Sequence, residues 1–445
     1  MEAKGIPAVL ETWNSQDIKG IAETSFLRNG VPEVRQVLTP PDTTLTSLKE
    51  YIPQFIDALT SPLTEREQWS GIHEPPKTPR ILMTGTYDEI QAYFEGDLTR
   101  FTAIAPHAWM TDGLPITPPT EDRVTRMLRG TSHSPDEVIE IEEGGQLKSL
   151  PTVEAVAINA VMAGCKPEYM PVLLAMLEMG ARQGGTSDCS NGAAYVVSGP
   201  IAKEIGMNSG IELFAPGNPA NMSISRACAL MSINLTTTEV AIDTIGRMGT
   251  YLWGLTWAES EDTPWIGLNE DEGFGANESV LVRFAGHVNL VPPCTSGMVK
   301  TPTNLLNFQN SSPEALVAAL KTPTENLGSI VLFTPDTANN WREIYGFKTM
   351  KQLQNYLWEN VTRSKSELDE SYRFFALSLE AEQNERGSKQ LNPDHLDLPG
   401  DAQIPFIFRG PKSIKVVVAG GIGDAWGWGT YFYRDPMSTS VDKWR

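Results

Sequence analysis

The sequence SIVLFTPDTANN, at residues 329–340, places an apolar run directly before a polar turn and the start of a helical stretch. The sequence IKVVVAGGIGD, at residues 414–424, repeats this pattern with a glycine-rich turn, and RILMTGT, at residues 80–86, shows it earlier in the chain. Apolar, β-branched strands of this kind are typical of a parallel sheet that helices cover on both faces. We therefore predict an α/β protein with an open, mostly parallel sheet covered by helices.

The positions of these strands predict that the chain divides into three parts. Residues 76–115 and 320–445 carry the strand patterns and are assigned to the α/β domain. Residues 116–319 interrupt that domain and are predicted to form a large, mainly helical or mixed insertion. Residues 1–75 are predicted to form a helical N-terminal extension, because apolar side chains between Leu48 and Leu59 recur at helical spacing.

Two short motifs predict helix starts. SPDE at residues 134–137 and SPE at residues 312–314 each place Ser at the N-cap, Pro at the first helical position and carboxylates in the first turn. Residues 345–387 are also predicted to be helical and to cover the sheet, since their apolar side chains follow helical spacing.

Charge and hydropathy limit the classes of function. The chain has 445 residues and a formal net charge of -20, which opposes binding to nucleic acids or anionic membranes. The N-terminus has no signal-peptide pattern, and no apolar run reaches the roughly 18 residues of a membrane span. We expect a cytoplasmic protein that binds a small molecule and no nucleic acid or membrane, and that forms a homo-oligomer.

The segment from Pro151 to Tyr169 points to a reactive group. It is predicted to be a buried helix that carries Cys165 and Glu168 in its last turn. Cys165 is the candidate nucleophile, and Glu168 is a candidate for proton transfer. His107, in the loop APHAWMTDGLPI at residues 105–116, is the second proton-transfer candidate, although a buried imidazole bonded to the backbone is an equal alternative.

A metal site is a weaker alternative. The chain has 5 histidines and 4 cysteines, without HxH, HExxH or CxxC spacing. No metal ligand and no cofactor is therefore assigned, although a metal remains an option if His107 combines with Asp112, Glu154 or Glu168. The glycine turn at residues 420–424 lacks GxGxxG spacing, which disfavours a nicotinamide cofactor.

Four turns are candidates for ligand binding because ligands of open α/β sheets gather beyond the carboxyl ends of the strands. These turns are residues 84–86, 198–201, 334–339 and 420–424. Arg226, on a predicted helix, could hold a substrate carboxylate through two hydrogen bonds. The predicted substrate-binding residues are Arg226, Ser198, Gly199, Asn221, Gly420 and Gly421.

Three acidic residues lie between two tryptophans in WAESEDTPW, at residues 257–265. Crowding of Glu259, Glu261 and Asp262 would raise a carboxyl pKa or attract a cation. The simpler interpretation is that these are solvated acids before a proline turn.

Several of these motifs together resemble a bacterial family. AINAVMAGCKPEY at residues 157–169, SGPI at 198–201, GNPAN at 217–221 with Arg226, and AESEDTPW at 258–265 are similar to segments of the UGSC-like proteins. The resemblance spans residues 105 to 425 and implies thiol-linked or small-molecule chemistry. The family is named for a motif of selenocysteine or cysteine, Gly, Ser and Cys, and this chain has no CGSC sequence. It therefore resembles a diverged member, for example one with a role in a specialised biosynthetic pathway.

Two classes of function follow. The favoured one is an enzyme that acts on a small, carboxylate-bearing molecule in an interdomain cleft, by lyase, hydratase or thiol-dependent transfer chemistry. A metal-dependent variant of that enzyme would use His107 and nearby carboxylates. The other class is a non-catalytic subunit or ligand-binding protein that requires a partner chain.

Overall fold

The computed structural model describes the greater part of the chain. The described residues are 9–13, 35–40, 43, 45–64, 67, 81–95, 110–141, 149–181, 193–235, 255–284, 312–321, 328–367, 397–405, 410–423, 426–431 and 435–445.

The described helices and strands alternate along much of the chain. The helices are α1 (Leu45–Leu48), α2 (Ile52–Thr60), α3 (Tyr87–Glu95), α4 (Glu121–Met127), α5 (Val153–Met162), α6 (Met170–Glu178), α7 (Pro200–Glu204), α8 (Pro219–Leu235), α9 (Leu268–Asp271), α10 (Pro313–Leu320), α11 (Pro335–Glu343) and α12 (Met350–Asn360). The strands are β1 (Leu10–Trp13), β2 (Gln36–Thr39), β3 (Ala194–Ser198), β4 (Leu255–Ala258), β5 (Val280–Phe284), β6 (Gly328–Phe333), β7 (Thr362–Ser364), β8 (Gln403–Pro405), β9 (Ile414–Val418), β10 (Trp426–Tyr431) and β11 (Met437–Ser440).

The larger sheets are both mixed. The first has the order β11-β5-β3-β4, with β3 and β4 parallel and the other neighbours antiparallel. The second has the order β10-β6-β9, with β6 and β9 parallel and β10 antiparallel to β6. The prediction of a mixed helix and strand protein is confirmed, as is the strand character of the apolar runs in β6 and β9. The prediction of a single, mostly parallel sheet is wrong, because each sheet gains antiparallel strands from segments without a long apolar run.

The core forms three apolar clusters that follow the alternation of side chains along the strands. One face of the first sheet, including Tyr195 and Val197, packs against α5, α6 and α8. One face of the second sheet, including Val331 and Val416, packs against α10, α11 and α12. The opposite faces of both sheets share a third cluster, which we call the inter-sheet cluster: Ala194, Val196, Leu213, Trp257, Leu268, Val280, Val282, Phe284, Ile330, Leu332, Val417 and Ala419.

The region around residues 80–86 differs from the prediction. Residues 81–86 are irregular rather than a strand, and α3 follows them as predicted. Ile81 is 70% exposed, so no neighbouring strand covers its side chain. A strand pattern becomes a strand only when a sheet provides its hydrogen-bond partners and buries its side chains. The turn at residues 84–86 caps α3 through the hydrogen bond from the Thr86 N–H to Glu89 Oε2 (2.8 Å).

The three predicted parts of the chain differ in secondary structure from the prediction. The helical extension is present as α2, but its apolar side chains are not buried, and the parallel pair of β1 and β2 precedes it. Residues 116–319, expected to be mainly helical, contribute β3, β4 and β5, and β11 from the C-terminus completes their sheet. The domain boundaries themselves stay a prediction. Among the described residues, no helix is both long and apolar enough to cross a lipid bilayer.

The segment from Pro151 to Tyr169 is not one continuous helix. Helix α5 begins after Thr152, whose side chain accepts a hydrogen bond from the Ala155 N–H, and it ends at Met162. Gly164 then adopts a φ of 80°, in the left-handed region that glycine tolerates at a helix end. A short 3-10 turn from Pro167 to Tyr169 leads into α6. This break separates the directions of Cys165 and Glu168, which were expected to share one helical turn.

Candidate active site

The carboxyl ends of β3 and β4 bring two polar side chains together. These strands are parallel and in register, with Val197 opposite Ala258, so the residues that follow, Ser198 and Glu259, leave the sheet at the same edge. The Ser198 hydroxyl donates a hydrogen bond of 2.6 Å to Glu259 Oε2. Both residues are buried. This pair is the centre of the candidate site.

The environment of Glu259 favours a carboxyl group that titrates near neutral pH. Oε2 accepts a second hydrogen bond from the Leu268 N–H (2.8 Å), whereas Oε1 has no hydrogen-bond partner within the described part of the chain. Burial, with the residue only 8% exposed, raises its pKa to about 7, and the nearby Asp271 carboxylate adds to this rise. The hydrogen bonds from Ser198 and Leu268 lower the pKa but only partly offset burial.

Helix α9 supports the pair from one side. The Asn269 N–H donates to Ser198 Oγ (3.2 Å), while the Asn269 side chain donates to the carbonyls of Gly275 (3.1 Å) and Glu278 (3.0 Å). Gly199 has a φ of 100°, and a Cβ atom at this position would lie 2.2 Å from the Glu278 carbonyl oxygen. Gly199 therefore allows the chain to turn beneath the Glu278 backbone.

The loop after α7 connects the predicted glycine turn to this site. The Asn208 carbonyl accepts hydrogen bonds from the Ala258 N–H (3.4 Å) and from Asn221 Nδ2 (2.9 Å). The next residue, Ser209, accepts a hydrogen bond of 2.8 Å from the Gly420 N–H through its carbonyl. The Ser260 N–H in turn donates to the Val418 carbonyl (2.7 Å), which joins the ends of β4 and β9.

The glycine turn at residues 420–423 lies between two segments. On one side, a Cβ atom at Gly421 would lie 3.0 Å from Ile211 Cγ1. On the other, the Thr334 hydroxyl donates to the Gly423 carbonyl (2.6 Å), and the Gly423 N–H donates to Asp336 Oδ2 (2.6 Å). Two of the predicted ligand-binding turns are therefore in contact.

The structure thus gathers five of the predicted binding residues around the ends of β3, β4 and β9: Ser198, Gly199, Asn221, Gly420 and Gly421. Asn221 acts within the protein, because both polar atoms of its amide bond the Asn208 backbone. Its hydrogen bonds hold the loop that carries Ser209 and Ile211 against the glycine turn.

Arg226 has a different environment from that predicted. Its guanidinium forms an ion pair with Asp112, with 2.9 Å between Nε and Oδ2 and 3.0 Å between Nη2 and Oδ1. Nη2 also donates to the carbonyls of Leu114 (3.3 Å) and Pro115 (2.8 Å). The donors expected to hold a substrate carboxylate are thus directed at the protein itself.

Cys165 lies near Arg226 and away from Glu259. Its thiol donates a hydrogen bond of 3.3 Å to the Ser223 carbonyl, and the side chain packs against the cluster beneath α5, α6 and α8. Burial raises the pKa of the thiol to about 12, and neither the Ser223 contact nor the Arg226 charge offsets that rise. Glu259 contacts Leu268, which belongs to the inter-sheet cluster on the other face of the sheet.

Glu168, another predicted catalytic residue, joins neither group. Glu168 is 49% exposed at its side chain and lies 3.9 Å from Lys166 Nζ. His107 and the segment around Cys189 lie outside the described residues, as does the second half of the predicted helix at residues 345–387. Among the residues that are described, no group of three or more His, Cys, Asp or Glu side chains is placed to hold a metal ion.

Glu259 was missing from the predicted site residues. The sequence singled out the acids of residues 257–265, but it could not tell which of them is buried. Glu261 is exposed and forms an ion pair of 2.7 Å with Lys203, whereas Glu259 is buried. The available signal was alternation: Glu259 lies two positions after Trp257 and continues the buried face of β4.

Comparisons with other proteins assign no family. No protein-family model matches the chain, and no curated protein and no solved structure shows a match. The UGSC-like resemblance therefore stays a prediction from the motifs.

Proposed function

We propose that this protein is an enzyme that acts on a small, carboxylate-bearing molecule at the ends of β3, β4 and β9, by lyase or hydratase chemistry. The observation that carries this proposal is Glu259: a buried carboxyl group with a pKa raised to about 7 and one oxygen without a described partner. A group with a pKa near the working pH can accept a proton in one step and return it in the next. A carboxyl group with a shifted pKa at the end of a strand is typical of an active site.

In the proposed reaction, Glu259 moves the protons while a C–O bond of the substrate breaks. Ionised Glu259 takes a proton from the carbon beside the substrate carboxylate, and the electrons of that C–H bond form a C=C bond. The adjacent C–O bond breaks, and its electron pair leaves with the hydroxyl group, which takes the proton from Glu259 and departs as water. Addition of water runs the same steps in reverse. Ser198 holds Oε2 through the 2.6 Å hydrogen bond, so Oε1, which is buried without a described hydrogen-bond partner, is the atom proposed to transfer the proton.

Thiol-dependent transfer is less well supported. With its pKa raised to about 12, the Cys165 thiol would be almost entirely protonated at neutral pH, and the thiolate is the nucleophilic form. In the glycine turn at residues 420–423, the N–H groups of Gly420 and Gly423 already bind Ser209 and Asp336. A substrate carboxylate would therefore have to bind the N–H groups of Gly421 and Ile422, since backbone N–H groups at such turns suit anions. Protonated Glu259 could also donate a hydrogen bond to a carboxylate.

The test is deuterium exchange into a panel of small hydroxycarboxylates and their unsaturated counterparts, followed by proton NMR in heavy water. We expect exchange at the carbon beside the carboxylate for at least one compound. E259Q should reduce that rate at least about a hundredfold, since it removes the proton acceptor. The matched control is E261Q, an exposed carboxylate two positions away, which should leave the rate unchanged. Full activity in E259Q, or no exchange with any compound, would refute the proposal.

A second candidate is a non-catalytic subunit that binds a partner chain. It is favoured by exposed apolar side chains beside the site: Ile422 is 89% exposed and Ile211 61% exposed. Phe214 is also exposed, and its ring lies edge-on to Trp257, with centroids 5.5 Å apart. The homo-oligomer expected from the sequence would use such a surface. Sedimentation equilibrium tests whether the partner is a second copy of this chain: I422S should then lower the mass of the particle, and an unchanged mass would exclude self-association through this surface.

A further inference from the structure

A buried group of charges lies at the other end of α9 from Glu259. Lys415, on β9, is 9% exposed, and its Nζ lies 3.0 Å from Asp271 Oδ2 and 2.7 Å from Glu272 Oε1. Both carboxylates are themselves mostly buried. We call these three residues the lysine triad. It joins the second sheet, through β9, to the helix that contacts Glu259.

Helix α9 has only four residues, so a contact at one end lies close to the contacts at the other end. Its first residue, Leu268, donates its N–H to Glu259 Oε2 (2.8 Å), and its second, Asn269, donates its N–H to Ser198 Oγ (3.2 Å). Its last residue, Asp271, and the following Glu272 bind Lys415. Contacts at both ends restrict the position of a helix of this length, and the lysine triad provides the contacts at the end away from Leu268.

Among the described residues, charged groups lie near Glu259 on α9, on β9 and on its own segment. Glu270 of α9 accepts a hydrogen bond from the Gly267 N–H (3.4 Å), beside Glu259. The adjacent strand β3 contributes the neutral Ser198, and α9 contributes Asp271, whose carboxylate acts on Glu259 through space. On the same segment as Glu259, Glu261 and Asp262 are exposed, and Glu261 pairs with Lys203. Lys415 is the cation that β9 brings to this side of the sheet.

The triad has an unbalanced charge. Burial would lower the pKa of Lys415, but Glu272 and Asp271 outweigh it and raise that pKa, so the ammonium group stays charged. One ammonium then balances one of two carboxylates. A buried ion pair is weak evidence for stability, since desolvation opposes the attraction. The position of this group beside Glu259 offers another explanation.

We propose that Lys415 is a positioning residue for Glu259: it neutralises Asp271, at the far end of α9, and holds α9 so that the Leu268 N–H stays on Oε2. This inference rests on the proposed function, in which Glu259 transfers the proton. Without Lys415, the ionised Asp271 would oppose ionisation of Glu259 more strongly. Without the Asp271 charge, that opposition would disappear.

The test measures the titration of Glu259 itself in the full-length protein without substrate. Infrared difference spectroscopy follows the protonated carboxyl band, and its absence in E259Q assigns it. K415M should raise the pKa of Glu259 by about one pH unit, and D271N should lower it by about one, as expected for a charge at short range. K415R should keep the pKa of the native protein. K412M, which removes an exposed lysine beside β9, is the control and should cause no shift.

The inference requires the pKa of Glu259 to shift in opposite directions, upward in K415M and downward in D271N. If the triad only held the fold together, K415M and D271N would disturb α9 in the same way and shift the pKa in one direction. Equal signs, or no shift in D271N, would overturn the inference, and D271N decides the matter even if K415M does not fold. The two proposals can fail separately. If the pKa of Glu259 shifts as expected in K415M and D271N but E259Q retains exchange activity, the proposed function is overturned and the coupling to Lys415 stands.

Discussion

Arg226 and Asp112 are 114 positions apart in sequence and form a bidentate ion pair, with Nε and Nη2 at 2.9 and 3.0 Å from the two carboxylate oxygens. The side chains are 18% and 6% exposed. Because the same guanidinium also binds the carbonyls of Leu114 and Pro115, it fixes the turn at residues 112–115 against α8. A bidentate arginine, which the sequence assigned to a substrate, is here a contact within the protein.

Removal of this pair should therefore destabilise the protein. We expect R226M to lower the free energy of unfolding by about 3 kcal/mol, because it leaves the Asp112 carboxylate buried without its cation. Urea denaturation measures this change. R126M is the matched control: Arg126 forms an exposed pair with Asp122, and its loss should matter by less than about 1 kcal/mol. If R226M kept native stability and lost only ligand affinity, the substrate-binding role predicted from sequence would be correct.

Local sequence signals predicted one of the two helix starts correctly. The SPE motif at residues 312–314 starts α10, with the Ser312 side chain accepting from the Ala315 N–H as expected of an N-cap. The same type of motif at residues 134–137 gives a turn instead. There the Ile139 N–H donates to the Pro151 carbonyl and the Val153 N–H to the Glu137 carbonyl, so long-range pairing replaces a helix. Such pairing depends on segments that no local pattern identifies.

The sequence predicts which turns form the candidate site, but it does not predict which side chain there has a shifted pKa. The turns after β3 and β9 were found because ligands gather at strand ends, and the structure brings Ser198 and Gly420 to one region. Burial decided the rest: it separates Glu259 from the exposed Glu261 and raises the pKa of the Cys165 thiol. Burial depends on how α9 and the inter-sheet cluster pack. The pattern of residues along one sequence does not predict that packing.

Cys165 should behave as a structural thiol. With its pKa raised to about 12 by burial, we expect much slower labelling by a thiol-specific reagent in the native protein at pH near 8 than after denaturation, although the side chain is partly exposed. Peptide mapping by mass spectrometry distinguishes Cys165 from the other cysteines. C165S should retain any activity found for the protein. Fast labelling of Cys165 in the native state would instead support the thiol-dependent chemistry.

His133 should make stability depend on pH. Burial alone would lower its pKa, but the Lys443 carbonyl and the Glu137 carboxylate raise it. Both ring nitrogens face acceptors: Nδ1 lies 2.9 Å from Glu137 Oε1, and Nε2 lies 2.8 Å from the Lys443 carbonyl oxygen. The charged imidazole, which donates from both nitrogens, therefore suits this site and ties the C-terminus to residues 131–137.

The sign of the effect follows from this raised pKa. The stabilisation is fully present below the unfolded value of about 6.5 and is lost as the pH rises through the higher folded value. The difference in unfolding free energy between the native protein and H133Q should thus shrink from mildly acidic to mildly alkaline pH. E137Q should weaken the same dependence. A difference between the native protein and H133Q that is constant with pH would show that the imidazole is neutral in the fold.

Glu259 should also influence stability, with a larger effect. Its pKa rises on folding from 4.5 to about 7, so the folded protein binds a proton that the unfolded chain releases between these values. Stability is therefore highest below the unfolded pKa and falls as the pH rises through the folded one, by about 3 kcal/mol in total. E259Q, which cannot ionise, should be more stable than the native protein above neutral pH and similar to it in acid.

Chemical denaturation of both proteins across this pH range measures the difference, and E261Q, which alters an exposed carboxylate, should follow the native curve. A variant that gains stability while it loses proton transfer would fit a site where function opposes stability, since the buried charge that destabilises the fold is the proposed base. If E259Q instead loses stability by the same amount at every pH, the pKa of Glu259 does not change on folding. Its carboxyl group then serves only to hold Ser198 and Leu268 in place.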